Sequence, residues 1–374
     1  MSMSDCEKIR FVTIDDICKV SRGASPRPIN NYLTQSEEGT PWIKIGDVGT
    51  FDKYIKRTKE RITQEGVKKS RLLHKGDLVL SNSMSFGRPY ILEIDGCIHD
   101  GWISLSGYEK YILRDYLYEV LNTKSVQYYW AIKANNGGAM SNLNSDIVKS
   151  TSIPLPHIKV QEEIVKILDS FTNLIDALNE ELSLRQKQFE YYRETLLTFD
   201  DNECEWKKLS DVAEIGTGSG NTNEGLNKGL YPFFTRGQEK LWKNDYEFDE
   251  EAVITAGDGV GVGKVMHYIK GKYSLHQRAY RFKPKKILAT KFLYHYMKVT
   301  FYNYVCGNSV SSSVSSLRKP KLMVYPIPIP PLSIQQSIVE KLDAFESLIS
   351  SLKEEIALRQ KQYEYYREKL LTFE

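Results

Sequence analysis

The stretch AGDGVGVGK, starting at Ala256, comes nearer than any other part of this sequence to a reaction site in its residue types and spacing. Closely spaced glycines can turn several backbone N–H groups toward phosphate oxygens. A phosphate loop also needs glycine six residues before its lysine and Ser or Thr directly after it to hold magnesium. Here those positions are Asp258 and Val265, so the run predicts a tight, close-approach loop and no nucleotide site. The histidines, His74, His99, His157, His267, His276 and His295, form no HExxH or zinc-deaminase pattern, and no serine sits in a GxSxG elbow. No Asn-Pro-Pro-aromatic methyltransferase motif and no Asp…Glu-x-Lys nuclease signature occurs. The five cysteines are odd in number, scattered, and free of CxxC pairs, which suits a reducing cytoplasm better than disulfides or structural zinc. The expectation from these motifs is no metal and no cofactor, and no residue that can be named as catalytic; a self-contained enzyme stays open at this point.

Other runs suit binding rather than reaction. KYIKRTKERI from Lys53 and VKKSR from Val67 are basic, the first with an aromatic interleaved. RGQEKLWKN from Arg236 and HQRAYRFK from His276 mix Arg, Gln and His with Trp, Tyr and Phe. Arginine and glutamine can make bidentate contacts to base edges, while lysine neutralises phosphates without reading sequence. One such run is usually a solvated surface; two sets in corresponding parts of a chain point to nucleic acid. The candidate contact residues are Lys44, Ser81, Asn82, Ser83 and Arg88 in the first half, and Arg236, Gln238, Asp258, Lys264, His276, Gln277 and Arg278 in the second.

These groups must be positioned by something, and the chain answers by being written twice. At an offset of 174, Thr151 to Phe199 matches Tyr325 to Phe373 at 28 of 49 positions, including RQKQFEYYRE at Arg185 and RQKQYEYYRE at Arg359. Both copies open with proline punctuation, IPLPHIKVQ and IPIPPLSIQ, and close with LLTF. In the first copy Ile164, Phe171, Leu178 and Tyr192 fall on one seven-residue series, and Leu168, Ile175, Leu182, Phe189 and Leu196 on another four residues away. The second repeats this with Ile338, Phe345, Leu352 and Tyr366, and with Leu342, Ile349, Ile356, Tyr363 and Leu370. That spacing is a coiled-coil seam, with Arg185 and Arg359 as polar register markers on it and the other polar residues of the decapeptide facing outward. Each helix starts after Pro156 or Pro331 and runs about 38 residues, roughly 57 Å. Ser333 and Gln336 offer a capping box to the second. Such long seams need a partner, and the two copies can pair antiparallel within one chain, holding two domains at opposite ends; pairing between chains is the alternative.

A weaker repeat covers the rest. FVTIDDICKVSRG from Phe11 parallels WKKLSDVAEIGTG from Trp206, and DYLYEVL at Asp115 parallels KFLYHYM at Lys291. Between these anchors LSNSMSFGRPYILE stands against ITAGDGVGVGKVMH: a shared frame with divergent contents. Runs such as DLVLS, YILEI, AVITA and AYRF read as strands, and with the following helices they make an α+β fold. The expected layout is a domain over 1–157, a long helix over 158–199, a second domain over 200–331 and a second long helix over 332–374. Residues 161–200 carry −5 and 335–374 carry −2, so with a total of +3 the remainder carries about +10, consistent with a polyanionic partner. No apolar signal core or membrane-spanning run is evident, and the expected location is the cytoplasm.

This arrangement resembles the specificity subunit of type I restriction-modification systems. Two divergent domains alternate with two near-identical helices, and the junctions IPLPHIKVQEEIVKIL and IPIPPLSIQQSIVEKL resemble the family's as well. The resemblance implies two target recognition domains, each reading one half of a split, asymmetric double-stranded DNA target. It implies paired helices that act as a ruler and as a platform for two methylation subunits. Restriction subunits would then join, with one specificity chain per complex. The S-adenosylmethionine, magnesium and catalysis would belong to those partners. Alternatives left open by the residues are a specificity subunit of a methylation-only system, a coiled-coil scaffold for proteins, and a self-contained DNA-modifying enzyme.

Overall fold

The structure, a computed structural model, describes residues 9–49, 52–82, 86–135, 142–200, 204–307 and 316–373. It divides into two compact units, residues 1–177 with 356–374 and residues 178–355. The long helices span Ile158–Leu196 and Leu332–Leu371. Each unit thus holds one α+β domain, the stretch of one helix that starts from it and the far end of the other.

The frame is the same in both units. In the first, Arg10–Thr13 pairs antiparallel with Ser152–Leu155; in the second, Glu205–Lys208 pairs with Pro326–Ile329. A two-stranded ribbon tolerates these prolines because their missing N–H groups are not needed by a further strand. A one-turn helix follows each opening strand, Ile14–Ile17 or Leu209–Val212. Its first N–H donates to the residue before the closing strand, Ile14 N to Thr151 O at 3.0 Å and Leu209 N to Tyr325 O at 2.8 Å.

The contents differ, as the divergent sequences require. The first unit carries two five-stranded sheets, ordered 33–34, 60–62, 40–43, 96–98, 71–73 and 19–22, 102–106, 78–81, 89–92, 54–55. The second carries one six-stranded sheet ordered 213–217, 279–284, 248–256, 266–275, 231–234, 241–243. The strands read as DLVLS, AVITA and AYRF all form, and successive residues such as Leu78, Val79 and Leu80, or Val253 and Ile254, are fully buried, as is Phe282. The two anchor helices appear at Arg114–Leu121 and Thr290–Cys306, burying Tyr116, Leu117, Phe292 and Tyr296 against the cores of their units.

The seam forms within each unit. In the first, Ile164 and Leu168 share a core with Leu370 and Leu371, and Phe171 stacks on Tyr366 at 5.2 Å. In the second, Leu196 and Leu197 share a core with Ile338 and Leu342, and Tyr192 stacks on Phe345 at 5.4 Å. Rising numbers on one helix meet falling numbers on the other, so the pairing is antiparallel. Among the expected seam residues Tyr192 is the outlier, 38% exposed though stacked.

Two expectations need correction. The second helix begins at Leu332, which puts Ser333 already inside its first turn, and Gln336 Nε2 reaches forward to Glu340 at 3.1 Å; the capping box does not form. The neighbouring Gln335 does the work instead. Its amide nitrogen donates to Pro330 O (2.8 Å) and Ile287 O (3.0 Å), and its oxygen accepts from Ala289 N (2.8 Å), the N-cap of Thr290–Cys306. Gln161, its counterpart, donates to Pro156 O (2.9 Å) and accepts from Leu113 N (2.9 Å), the N-cap of Arg114–Leu121. One buried amide in each unit therefore ties the strand end, the long helix and the domain helix together, satisfying groups that helix starts leave open.

The second correction concerns the decapeptide. Arg367 does not face outward: its Nε lies 2.9 Å from the buried carboxylate of Glu119, and Tyr363 Oη donates to both oxygens of that carboxylate at 2.8 and 2.9 Å. Glu368 Oε1 accepts from Lys124 N at 2.9 Å. In the first copy Arg193 lies over the Phe189 ring at 5.3 Å. A helix packed on both a partner helix and a domain has two buried flanks, and the seam pattern describes one of them.

Candidate nucleic-acid interface

In each unit a strand ends in a histidine that makes a sharp corner. His99 follows Gly96–Ile98, and its Nδ1 accepts from Gly101 N at 2.6 Å. His276 follows Met266–Leu275, and its Nδ1 accepts from Arg278 N at 2.9 Å. Burial pulls both imidazoles below the ordinary histidine value, so each stays the neutral acceptor that this turn requires. The end of the strand Lys19–Arg22 in the first unit, and of Ala213–Thr217 in the second, passes tightly beneath the corner. A Cβ on Gly23 would sit 1.9 Å from His99 O, and one on Gly218 1.9 Å from Leu275 O, so only glycine fits. These are the terminal glycines of the repeated anchors VSRG and IGTG.

Arginines held by one aspartate surround each corner. In the second unit the Asp258 carboxylate accepts from Arg236 Nη1 at 3.0 Å on one oxygen and from Arg278 Nη1 at 3.0 Å on the other. Burial alone would raise this carboxyl, but the two guanidinium groups outweigh it and hold it below the usual carboxylate range. The Arg278 side chain remains 62% exposed and Arg236 41%. Gln277 Nε2 donates to Asn221 Oδ1 at 2.5 Å. In the first unit Asp100 plays the same part: its carboxylate takes Ser25 Oγ at 2.9 Å and Arg27 Nη2 at 3.4 Å, and its carbonyl takes Arg22 Nε at 3.1 Å. Here too burial would raise the acid and its donors, Ser25 first, bring it below the usual range.

The expected contact residues are thus distributed unevenly. Arg236, Asp258, His276, Gln277 and Arg278 come together at one corner, with His276 buried in a supporting place. Lys264 is exposed and lies 5.6 Å from the Tyr302 ring. Gln238 instead lines a cleft of about 760 Å³ with Phe234, Trp242, His267 and Tyr268. In the first unit Ser81 and Asn82 are buried, and Asn82 Nδ2 donates to Asp100 O at 2.9 Å, which makes it a support for the corner. Lys44 Nζ pairs with Glu60 at 2.6 Å. Arg88 is half-buried, its Nη1 buried without a hydrogen-bond partner among the described residues and its N–H donating to Ser81 Oγ at 3.3 Å. Ser83 lies outside the described residues. Sequence reasoning missed Arg22, Arg27, His99 and Asp100. The signal was present: the repeated anchor ends at Gly23, beside Arg22, and HDGW stands to its domain as HQRA does to the second.

One trio resembles a metal site. Ligand atoms of His295, Asp343 and Glu346 lie within 4.8 Å of one another. Lys291 is ion-paired to Asp343, and Lys298 Nζ lies 3.5 Å from Glu346, so both carboxylates already face ammonium groups. The trio is an ion-pair network between the domain helix and the long helix. No described helix is long and apolar enough to cross a membrane.

Known proteins resemble both halves of the chain. The profile of the type I restriction modification DNA specificity domain matches residues 7–184 and 202–358, one match for each half of the repeat. The chain is 34% identical over 256 residues to the EcoR124I/EcoR124II specificity subunit of Escherichia coli, an alignment covering 60% of this chain and 63% of that one. It is 21% identical over 378 residues to the EcoprrI specificity subunit of Escherichia coli, covering 94% and 91%. Among solved structures, the S subunit of a type I restriction-modification system from M. genitalium superimposes over 100% of this chain and 99% of its own, with TM-score 0.59 and 13% identity. A chain described under the assembly and conformational transition of a type I system gives TM-score 0.63, with 17% identity and 97% of each chain covered. With both halves matched, the chain belongs to the family of type I restriction modification DNA specificity domains.

Proposed function

We propose that this chain is the DNA-reading specificity subunit of a type I restriction-modification complex, with each domain reading one half of a split, asymmetric target in double-stranded DNA. The observation that carries this reading is the pair of arginine-lined corners, Arg22, Arg27 and Asp100 in one unit and Arg236, Arg278 and Asp258 in the other. An aspartate that orients exposed guanidinium groups prepares them for bidentate contact to guanine while lowering the entropy lost on binding. The long helices would set the spacing between half-sites and dock two methylation subunits, restriction subunits joining these, with one specificity chain per complex in the cytoplasm. Methyl transfer and cleavage, with their cofactors, would take place in the partners.

Single-molecule sequencing of methylated adenines, with the chain and its partners expressed together, should return a bipartite motif. Arg278→Ala should weaken binding to that motif by about 1–3 kcal/mol at fixed salt and relax the second half-site at one position. Binding to DNA should fall steeply with salt through counterion release, as a protein-only scaffold would not show. Insertion of residues between Leu197 and Asp201, of which Asp201 lies outside the described residues, should change the spacer alone. Altered half-sites with an unaltered spacer would end the ruler idea.

A further inference from the structure

The loop between Ala256 and Lys264 holds a side chain that neither its composition nor its fold requires. Val260 is 97% exposed, above every other large hydrophobic among the described residues, the next being Leu230 at 70%. It sits in the short turn Gly259–Gly261, where Asn, Asp or Gly is the ordinary choice and a β-branched apolar residue is not. The turn is pinned on both sides. Gly257 N donates to Arg278 O and Leu317 N to Gly257 O, each at 2.8 Å, and Val265 N donates to Gly261 O at 2.8 Å. A Cβ on Gly261 would lie 2.4 Å from Arg236 O, so the turn rests directly on the backbone that carries the first arginine. Asp258, two residues before the valine, orients both Arg236 and Arg278. A firmly pinned loop therefore exposes one apolar side chain two residues from the aspartate that holds both guanidinium groups.

We infer that Val260 is a specificity residue of the second domain, reading the C5-methyl group of a thymine in the major groove next to the bases that Arg236 and Arg278 face. The inference rests on the proposed DNA-reading function. Among the four bases thymine alone presents a methyl group on that groove edge, and small apolar side chains are its natural partners. A branched side chain already free of contacts loses no packing on binding, and its turn is too firmly held to lose much freedom.

The test replaces each thymine of the second half-site in turn by deoxyuridine, which removes only the methyl, and measures binding of the full chain with its methylation subunits at fixed salt. One position should weaken binding about three- to fivefold, and Val260→Ala should reduce that sensitivity while leaving the salt slope unchanged. The valine touches little in its own fold, so this variant keeps its stability. If no position is sensitive, if Val260→Ala keeps the sensitivity, or if the half-site contains no A·T pair, the inference is overturned. Arg278→Ala separates it from the broader reading. Lost affinity there with no role for Val260 removes only the methyl contact, whereas unchanged affinity in both variants removes the DNA-facing assignment of this corner altogether.

Discussion

The two junctions where domain meets long helix are built from near-identical helices and solved in different ways. In the first unit Glu119, 1% exposed, receives Arg367 and Tyr363 from the helix, and Lys53 bridges Asp115 (2.8 Å) and Asp169 (3.5 Å). In the second, the helix positions equivalent to Tyr363 and Arg367 are Phe189 and Arg193, and the counterpart of Asp169 is Asp343. There the domain helix offers Lys291 and His295 to Asp343, while Arg193 Nε and His295 Nδ1 stay buried without a hydrogen-bond partner among the described residues. The lesson is that a repeated helix does not repeat its contacts: each domain supplies its own charges to a fixed helical surface, and the first has the better-satisfied network. Burial would lower the Lys53 ammonium, yet its pairing with Asp115 leaves it above the ordinary lysine value. In the second unit burial holds His295 below the ordinary imidazole value against the pull of Asp343.

The largest break in this comparison should come from Glu119→Ala. Removing the carboxylate leaves the mostly buried Arg367 guanidinium without its ion partner, at a cost of about 3–5 kcal/mol in chemical denaturation. Next come the two glutamine clamps. Gln335→Ala should cost more than Gln161→Ala, both within about 1–3 kcal/mol, because Gln335 makes three hydrogen bonds to backbone and Gln161 two. Equal costs would show that the third bond contributes nothing. Asp343→Ala should cost only about 1 kcal/mol, since Asp343 and Lys291 are each about a third exposed.

The smallest effect is one of pH. Burial lowers His267, His276 and His295 in the second unit and, among the described histidines, His99 in the first. The unfolded chain then binds protons that the folded unit refuses. Stability is full above the unfolded imidazole value of about 6.5 and declines as pH falls through it. Hydrogen exchange at pH 7.5 and 5.5, corrected for intrinsic rates, should show the second unit losing more protection than the first. A larger loss in the first unit would contradict the assignment of neutral histidines.

Much of this was legible in the residues. The 174-residue repeat, the seam through Leu168 and Leu342, the helix starts after Pro156 and Pro331, and the tight loop at Asp258 are all local patterns, fixed by spacing along one element. The corner at Asp258 was legible in part because Arg236 and Arg278 lie in runs whose composition already suggested nucleic acid, and Asp258 lies in the run read as a tight loop. Its counterpart at Asp100 was marked only by the repeated anchor that ends at Gly23, because Arg22, Arg27 and His99 stand singly along the chain and converge only when the segment from Lys19 to Gly23 runs under the corner.

The sequence by itself determined the duplicated frame, the length and pairing face of the helices, and the absence of recognisable catalytic motifs. These follow from periodicity and from residue types that act on their near neighbours. Only the tertiary structure decided which polar residues of the repeated decapeptide are buried, and which arginines an aspartate holds ready at each corner. Arg367 meets Glu119 across 248 positions and Arg27 meets Asp100 across 73; such partners are chosen by the packing of whole elements, and no local spacing encodes them.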